Sequence, residues 1–155
     1  MTPRLEYHLA APEALRAMLG LEGHVRECGL EHPLLELVKI RASQLNGCAY
    51  CLDMHTKDAR AGGETEQRIY LLSAWREAPV YTPRERAALE WTEAVTRLGH
   101  GGVSDAVYAD ARAQFAEREL VDLTMAVITI NGWNRLGIAF RVDVGGYEPP
   151  PTVPA

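Results

Sequence analysis

The sequence predicts an all-α fold, a single-domain bundle of about seven helices. Three observations predict it. Apolar residues recur three and four positions apart along most of the chain, and these stretches lie between recognisable start and stop signals. The one segment that tempts a strand assignment, residues 141–147, has no second strand to pair with. The chain has 155 residues, 47% of them hydrophobic and 24% charged, enough for one ordinary core.

The elements follow in order. Pro12 suits a first helical position, and Ala14, Leu15, Met18, Leu19 and Glu22 continue the pattern to about Glu27, against the weakening effect of Gly20 and Gly23. Pro33 opens a second helix with Leu34, Leu37, Val38, Arg41 and Leu45 on one stripe, and Asn46-Gly47 breaks it. A third spans residues 48–61 and stops at Gly62-Gly63. A fourth covers 66–76, with Ile69, Leu72 and Trp75 at helical spacing. Thr82-Pro83-Arg84-Glu85 combines a cap, a first-turn proline and a capping box, and starts a helix reaching about Leu98. Ser104 caps a sixth, to about Phe115. The last spans 117–140. Leu120, Leu123, Val127, Ile130 and Asn134 share a broad face, and Val121, Ile128 and Ile138 widen its apolar surface, which marks a central or interface helix. Residues 1–147 form the domain, and 148–155, with four prolines, read as an extended C-terminal tail.

Composition removes several function classes. Net charge is −5 with both signs interspersed, so no basic stripe stands ready for nucleic acid. No segment approaches the ~20 apolar residues of a membrane helix. The first seven residues hold Arg4 and Glu6 and lack an apolar signal core, so the expectation is a cytoplasmic protein. Three cysteines without such a signal do not suggest a structural disulfide framework. Cys28 stands apart and reads as a small half-buried hydrophobe.

The chemistry concentrates in Cys48-Ala49-Tyr50-Cys51-Leu52-Asp53-Met54-His55, a CxxCxxxH pattern. On a helix, Cys48, Cys51 and His55 share a face. Cys48 falls in the first turn after the Asn46-Gly47 break, where unpaired N–H groups favour an anion. Helix starts and histidines are both recognised ways to lower a thiol pKa. A reactive dithiol is the first reading. Zinc is the second, because Cys48, Cys51 and His55 offer three ligands, but no second CxxC or HxxxH supplies a fourth. Core packing is the third. A thioredoxin-like pair would need a βαβ setting, which this sequence lacks. Glu36 sits on a partly apolar stripe beside Ile40, where a carboxylate could accept a proton. Tyr50 reads as a pocket wall or interface aromatic, Gln44 as a site or surface polar group, and Trp133 and Asn134 as packing and helix-contact residues first and site-lining residues second. His8, His24, His32 and His100, and the Glu and Arg residues from Arg84 to Arg97, read as solvated.

Residues 36–75, with this Glu, CxxC and His, resemble the AhpD-like alkylhydroperoxidases of the carboxymuconolactone decarboxylase family. Glu36 stands twelve residues before Cys48 and His55 four after Cys51, and Asn131 to Leu136 is similar to the family's late helix. Tyr50 departs from the pattern, since the best-known AhpD enzymes carry histidine before the second cysteine. The family's decarboxylase branch lacks the CxxC. The resemblance implies a thiol-dependent peroxidase in which Glu36, Cys48, Cys51 and His55 form a proton relay. It implies symmetric trimers or hexamers and no flavin, haem or metal. The expected order is deprotonation of Cys51 by His55 with help from Glu36, attack on a hydroperoxide to give a sulfenic acid, and closure of a Cys48–Cys51 disulfide. An external dithiol or redox protein then reduces the pair. The alternatives are a redox sensor or thiol–disulfide exchange protein with little turnover, and a non-catalytic oligomeric module.

Overall fold

The computed structural model describes residues 2–150 and contains eight α-helices, with no strand among the described residues. They are α1 (Tyr7–Ala10), α2 (Pro12–Glu27), α3 (His32–Asn46), α4 (Ala49–Ala61), α5 (Glu66–Leu71), α6 (Pro83–Thr96), α7 (Asp105–Gln114) and α8 (Glu117–Phe140). The all-α expectation holds. The added element is α1, too short to show a period. It is held by tertiary contact: Tyr7 stacks on Phe140 and the Arg4 N–H donates to the Phe140 carbonyl at 3.0 Å. The fourth predicted helix is shorter than its pattern suggests. It ends at Leu71 and passes through a 3-10 turn, Leu72–Ala74, because the guanidinium of Arg86 takes the carbonyls of Trp75, Arg76 and Ala78. The Thr82–Glu85 capping box forms as predicted.

Helix α3 is the axis of the bundle and packs against α4, α6 and α8. Its residues from Leu34 to Ser43 are all buried. One core, including Val25, Leu35, Val38, Phe115, Leu123 and Val127, joins α2, α3, α7 and α8. Another, around Leu37, Ile40, Leu72, Trp75 and Leu89, joins α3, α5 and α6. A helix enclosed this way must bury its charges too, and burying an ion without a partner is prohibitive. Each is paired: Glu36 with His55, Lys39 with Glu22 and Arg41 with Glu93. Among the described residues no buried side-chain polar atom lacks a hydrogen bond.

One predicted solvated group is corrected here. Glu93 is buried and accepts hydrogen bonds from Arg41, Trp75 and Arg76, because Arg41 of α3 needs a counter-ion inside. His24 is exposed, as expected, and also bonds to buried Asp122 at 2.9 Å, which links α2 to α8. Cys28 is half-buried against the core and donates to the Val25 carbonyl, as its isolated position suggests. Among the described residues no helix is long and apolar enough to cross a membrane. The described residues after α8, 141–150, have no regular structure and lie back along α4 through Gly145 and Tyr147, and of the predicted 148–155 tail, residues 151–155 lie outside the described residues.

Candidate active site

The turn between α3 and α4 builds the thiol pair. Gly47 ends α3 with φ at 71°, a left-handed conformation that favours glycine, and its N–H closes onto the Ser43 carbonyl. Cys48 follows in extended conformation. It is the N-cap of α4, one position outside the first turn where the sequence pattern puts it. Its sulfur therefore does what a capping oxygen does and accepts the Cys51 N–H, at 3.4 Å. The two sulfurs lie 2.8 Å apart, and once Cys48 ionises the Cys51 thiol donates to it. Both cysteines are buried, packed with Ala42 and Ile130. Asn134 of α8 lies beside them. Its Nδ2 donates to Ser43 and its Oδ1 accepts from Asn46, so it clamps both sides of the turn. Gly137 makes room: a Cβ there would stand 3.3 Å from the Cys48 sulfur.

This geometry separates the two ionisations. The hydrogen bond from the Cys51 thiol draws the Cys48 thiol down to about 7, against burial, with help from the Cys51 backbone N–H and from Asn134. The same hydrogen bond and the same burial push the Cys51 thiol up. The pair thus loses its first proton near neutrality and holds the second tightly.

Two of the predicted site residues, Glu36 on α3 and His55 on α4, are brought together. Nδ1 of His55 lies 2.9 Å from Oε2 of Glu36. Burial alone would raise the Glu36 carboxyl, but the His55 hydrogen bond and the nearby charges of His55 and Lys39 hold it below the ordinary carboxylate range. An ionised carboxylate can only accept, so Nδ1 carries the proton and Nε2 remains free to act as a base. The pattern continues beyond the predicted residues. Lys39 lies 3.7 Å from the other Glu36 oxygen and bonds to Glu22 at 2.8 Å, and Trp133 donates to Glu22 at 3.1 Å. Trp133 stands in the cavity wall, the second of its two readings from the sequence. Glu22 and Lys39 carry no local sequence signal. Their partners are 17 residues apart in the chain, and only the α2–α3 packing joins them.

A cavity of about 760 Å³ opens on this cluster. Cys51, His55 and Glu36 line it, together with Tyr7, Tyr50 and Trp133, while Cys48 lies behind. Tyr50 is thus a pocket wall, one of its predicted places. Gln44 lies elsewhere and accepts from Arg41. His32, expected in solvent, stands at the cavity rim. Asp58, one turn beyond His55, also lines the cavity and accepts from the Tyr147 hydroxyl at 2.7 Å.

The acceptor and donor atoms of Glu36, His55 and Asp58 converge within 4.8 Å of one another. By contrast, Cys48, Cys51 and His55, the trio of the zinc reading, do not form such a cluster among the described residues. The converging atoms are engaged by one another, by Lys39 and by Tyr147.

The profile of the carboxymuconolactone decarboxylase family matches residues 12–94, more than half the chain and the part that holds Glu36, both cysteines and His55. The chain belongs to the carboxymuconolactone decarboxylase family. Within it, this chain is similar to the uncharacterized protein YdfG of Bacillus subtilis, 45% identical over 139 residues, which cover 90% of this chain and 95% of YdfG. It is also similar to the crystal structure of ATU0492 from Agrobacterium tumefaciens. That protein is described as of unknown function and as a candidate antioxidant defence protein, AhpD. The TM-score is 0.91 at 45% identity, over 94% of this chain and 100% of that one. A peroxidase-related protein with an alkylhydroperoxidase AhpD core from Ralstonia eutropha gives a TM-score of 0.79 at 19% identity, over 90% of this chain and 75% of that one, a likeness of fold.

Proposed function

We propose that this family member is a thiol-dependent peroxidase of the AhpD type, reducing hydroperoxides through Cys48 and Cys51 with a Glu36–His55 proton relay. The observation that carries the reading is the shared cavity: Cys51 opens onto it beside His55 and Glu36, with Cys48 in sulfur-to-sulfur reach behind. The antioxidant and peroxidase-related descriptions of the structural neighbours support it coarsely. Ionisation favours Cys48 and access favours Cys51. Access decides, because a peroxide reacts only with a sulfur it can touch, and a proton passes readily between sulfurs 2.8 Å apart.

The steps balance as follows. His55 takes the Cys51 proton, and the thiolate attacks the terminal oxygen of ROOH. The O–O bond breaks, sulfur keeps the hydroxyl as a sulfenic acid, and the leaving alkoxide takes the proton from His55 as ROH. Cys48 attacks the sulfenic sulfur as a thiolate, having given its proton to the relay. The S–O bond breaks, and the departing hydroxide takes that proton as water. An external dithiol reduces the disulfide by two exchanges. Turnover of peroxide with a small dithiol donor tests this. Wild type turns over. Cys51→Ser is inactive, and Cys48→Ser reacts once and leaves a sulfenic acid that dimedone traps on Cys51. Dimedone on Cys48 in Cys51→Ser would reverse the roles. Disulfide formation in wild type without sustained turnover would make the chain a redox sensor instead.

A further inference from the structure

The last described segment of the chain reaches back into the site. Lys57 of α4 donates to the Tyr147 carbonyl at 2.8 Å, and the Gly145 N–H donates to Asp53 at 3.2 Å. These two bonds pin the segment along the outer side of α4. Tyr147 then turns inward, lines the cavity, and gives its hydroxyl proton to Oδ1 of Asp58 at 2.7 Å. Asp58 is three residues after His55, so its carboxylate sits one turn along the same face. It converges with the Glu36 oxygen and the His55 nitrogen within 4.8 Å. We propose that Asp58, held by Tyr147, is a second carboxylate of the relay. It is a positioning residue that stabilises the imidazolium formed when His55 takes the thiol proton, and the 141–147 segment is therefore part of the active site.

The assignment follows from what the geometry leaves each group to do. Glu36 fixes the Nδ1 side of the ring, and its charge is shared with Lys39. When Nε2 becomes protonated, a positive charge appears in a largely buried place. A further anion nearby favours that state. Asp58 offers such a carboxylate, and a tyrosine that donates to it fixes its rotamer. The inference rests on the peroxidase reading for its kinetic consequence, but not for its spectroscopic one. The experiment is ¹⁵N-detected titration of the His55 imidazole in reduced protein, alongside pH–rate profiles, for wild type, Asp58→Asn and Tyr147→Phe. The other charged groups facing His55 are Cys51 on its own helix, Glu36, Lys39 and His32 on α3, and Glu22 and Arg26 on α2, and all stay in place. In Asp58→Asn, the expected result is a His55 titration midpoint lower by at least half a pH unit and kcat lower by at least fivefold, with KM little changed. Tyr147→Phe, which keeps the ring in the wall, moves both the same way but less. His55 resonances and a rate profile in Asp58→Asn superimposable on wild type overturn the proposal. A shifted His55 titration in a protein that turns over no peroxide upholds the positioning role and overturns the peroxidase reading instead.

Discussion

Cys51→Ala, made in a Cys28→Ser background, asks what sets the acidity of Cys48. The hydrogen bond from the Cys51 thiol is the largest influence drawing the Cys48 thiol down to about 7. A thiol at that value is about half ionised at pH 7, whereas an unperturbed one near ~8.5 is only ~3% ionised. The full difference is about sixteenfold in thiolate, or ~2 kcal/mol at 1.36 kcal/mol per unit. Removing the Cys51 thiol does not remove everything, because the Cys51 backbone N–H at 3.4 Å and Asn134 remain. The Cys48 titration should therefore rise by at least ~0.7 unit, and its thiolate fraction at pH 7 should fall between about threefold and about sixteenfold. Thiolate absorbance in the far ultraviolet, followed from pH 5 to 10, measures both without a reagent having to reach the buried sulfur. The variant and wild-type absorbances should converge near pH 9.5, where the thiol ionises unaided. A Cys48 titration left at about 7 would show that the helix start alone sets its acidity, and the coupled-pair account would fail.

Four further outcomes follow from the same geometry. His55→Phe should raise the apparent pKa of turnover and lower the pH 7 rate at least about tenfold, since a hydrogen bond to a charged group contributes about 1.5–3 kcal/mol. Glu36→Gln should act likewise but less, part of each loss should return at pH 9, and a pH–rate profile unchanged in His55→Phe would exclude the relay. Gly137→Ala puts a methyl 3.3 Å from the Cys48 sulfur, so disulfide closure should slow, as stopped-flow tryptophan fluorescence would report, while Gly132→Ala should spare it. Glu22, Glu36 and Glu93 all sit below the ordinary 4.5. Carboxyls lowered in the folded state contribute stability that is full above the unfolded value and lost as pH falls through the folded one, so the thermal midpoint should be at least about 5 °C lower at pH 3.5 than at pH 6. Val121, Ile128 and Ile138 leave α8 with an exposed apolar surface, 62%, 47% and 45% exposed. Light scattering should return a multiple of 17.1 kDa, with a trimer or hexamer expected, and a monomer at micromolar concentration would refute that.

The sequence by itself determined the helices whose ends it marks with local chemistry. The Thr82 box, the Pro83 start and the Gly47 stop are decided within a few residues, so they are readable without the fold. It also determined that Cys51 and His55 share one helical face, because their spacing is a property of α4 alone. The choice of Glu36 came from the family pattern rather than from any local signal. The tertiary structure decided the rest. It made Cys48 the cap rather than a first-turn residue, which gives its sulfur two donors and separates the two thiol ionisations. It placed Glu22, Lys39 and Trp133 behind Glu36, and Asp58 with Tyr147 beside His55. It also buried Glu93, in a stretch that looks solvated, because Arg41 inside α3 requires an anion. The physical reason is common to these cases. A hydrogen bond or ion pair within one helical turn is written in residue spacing, whereas burial and long-range pairing depend on which helix faces which, and that is set by packing around α3 as a whole.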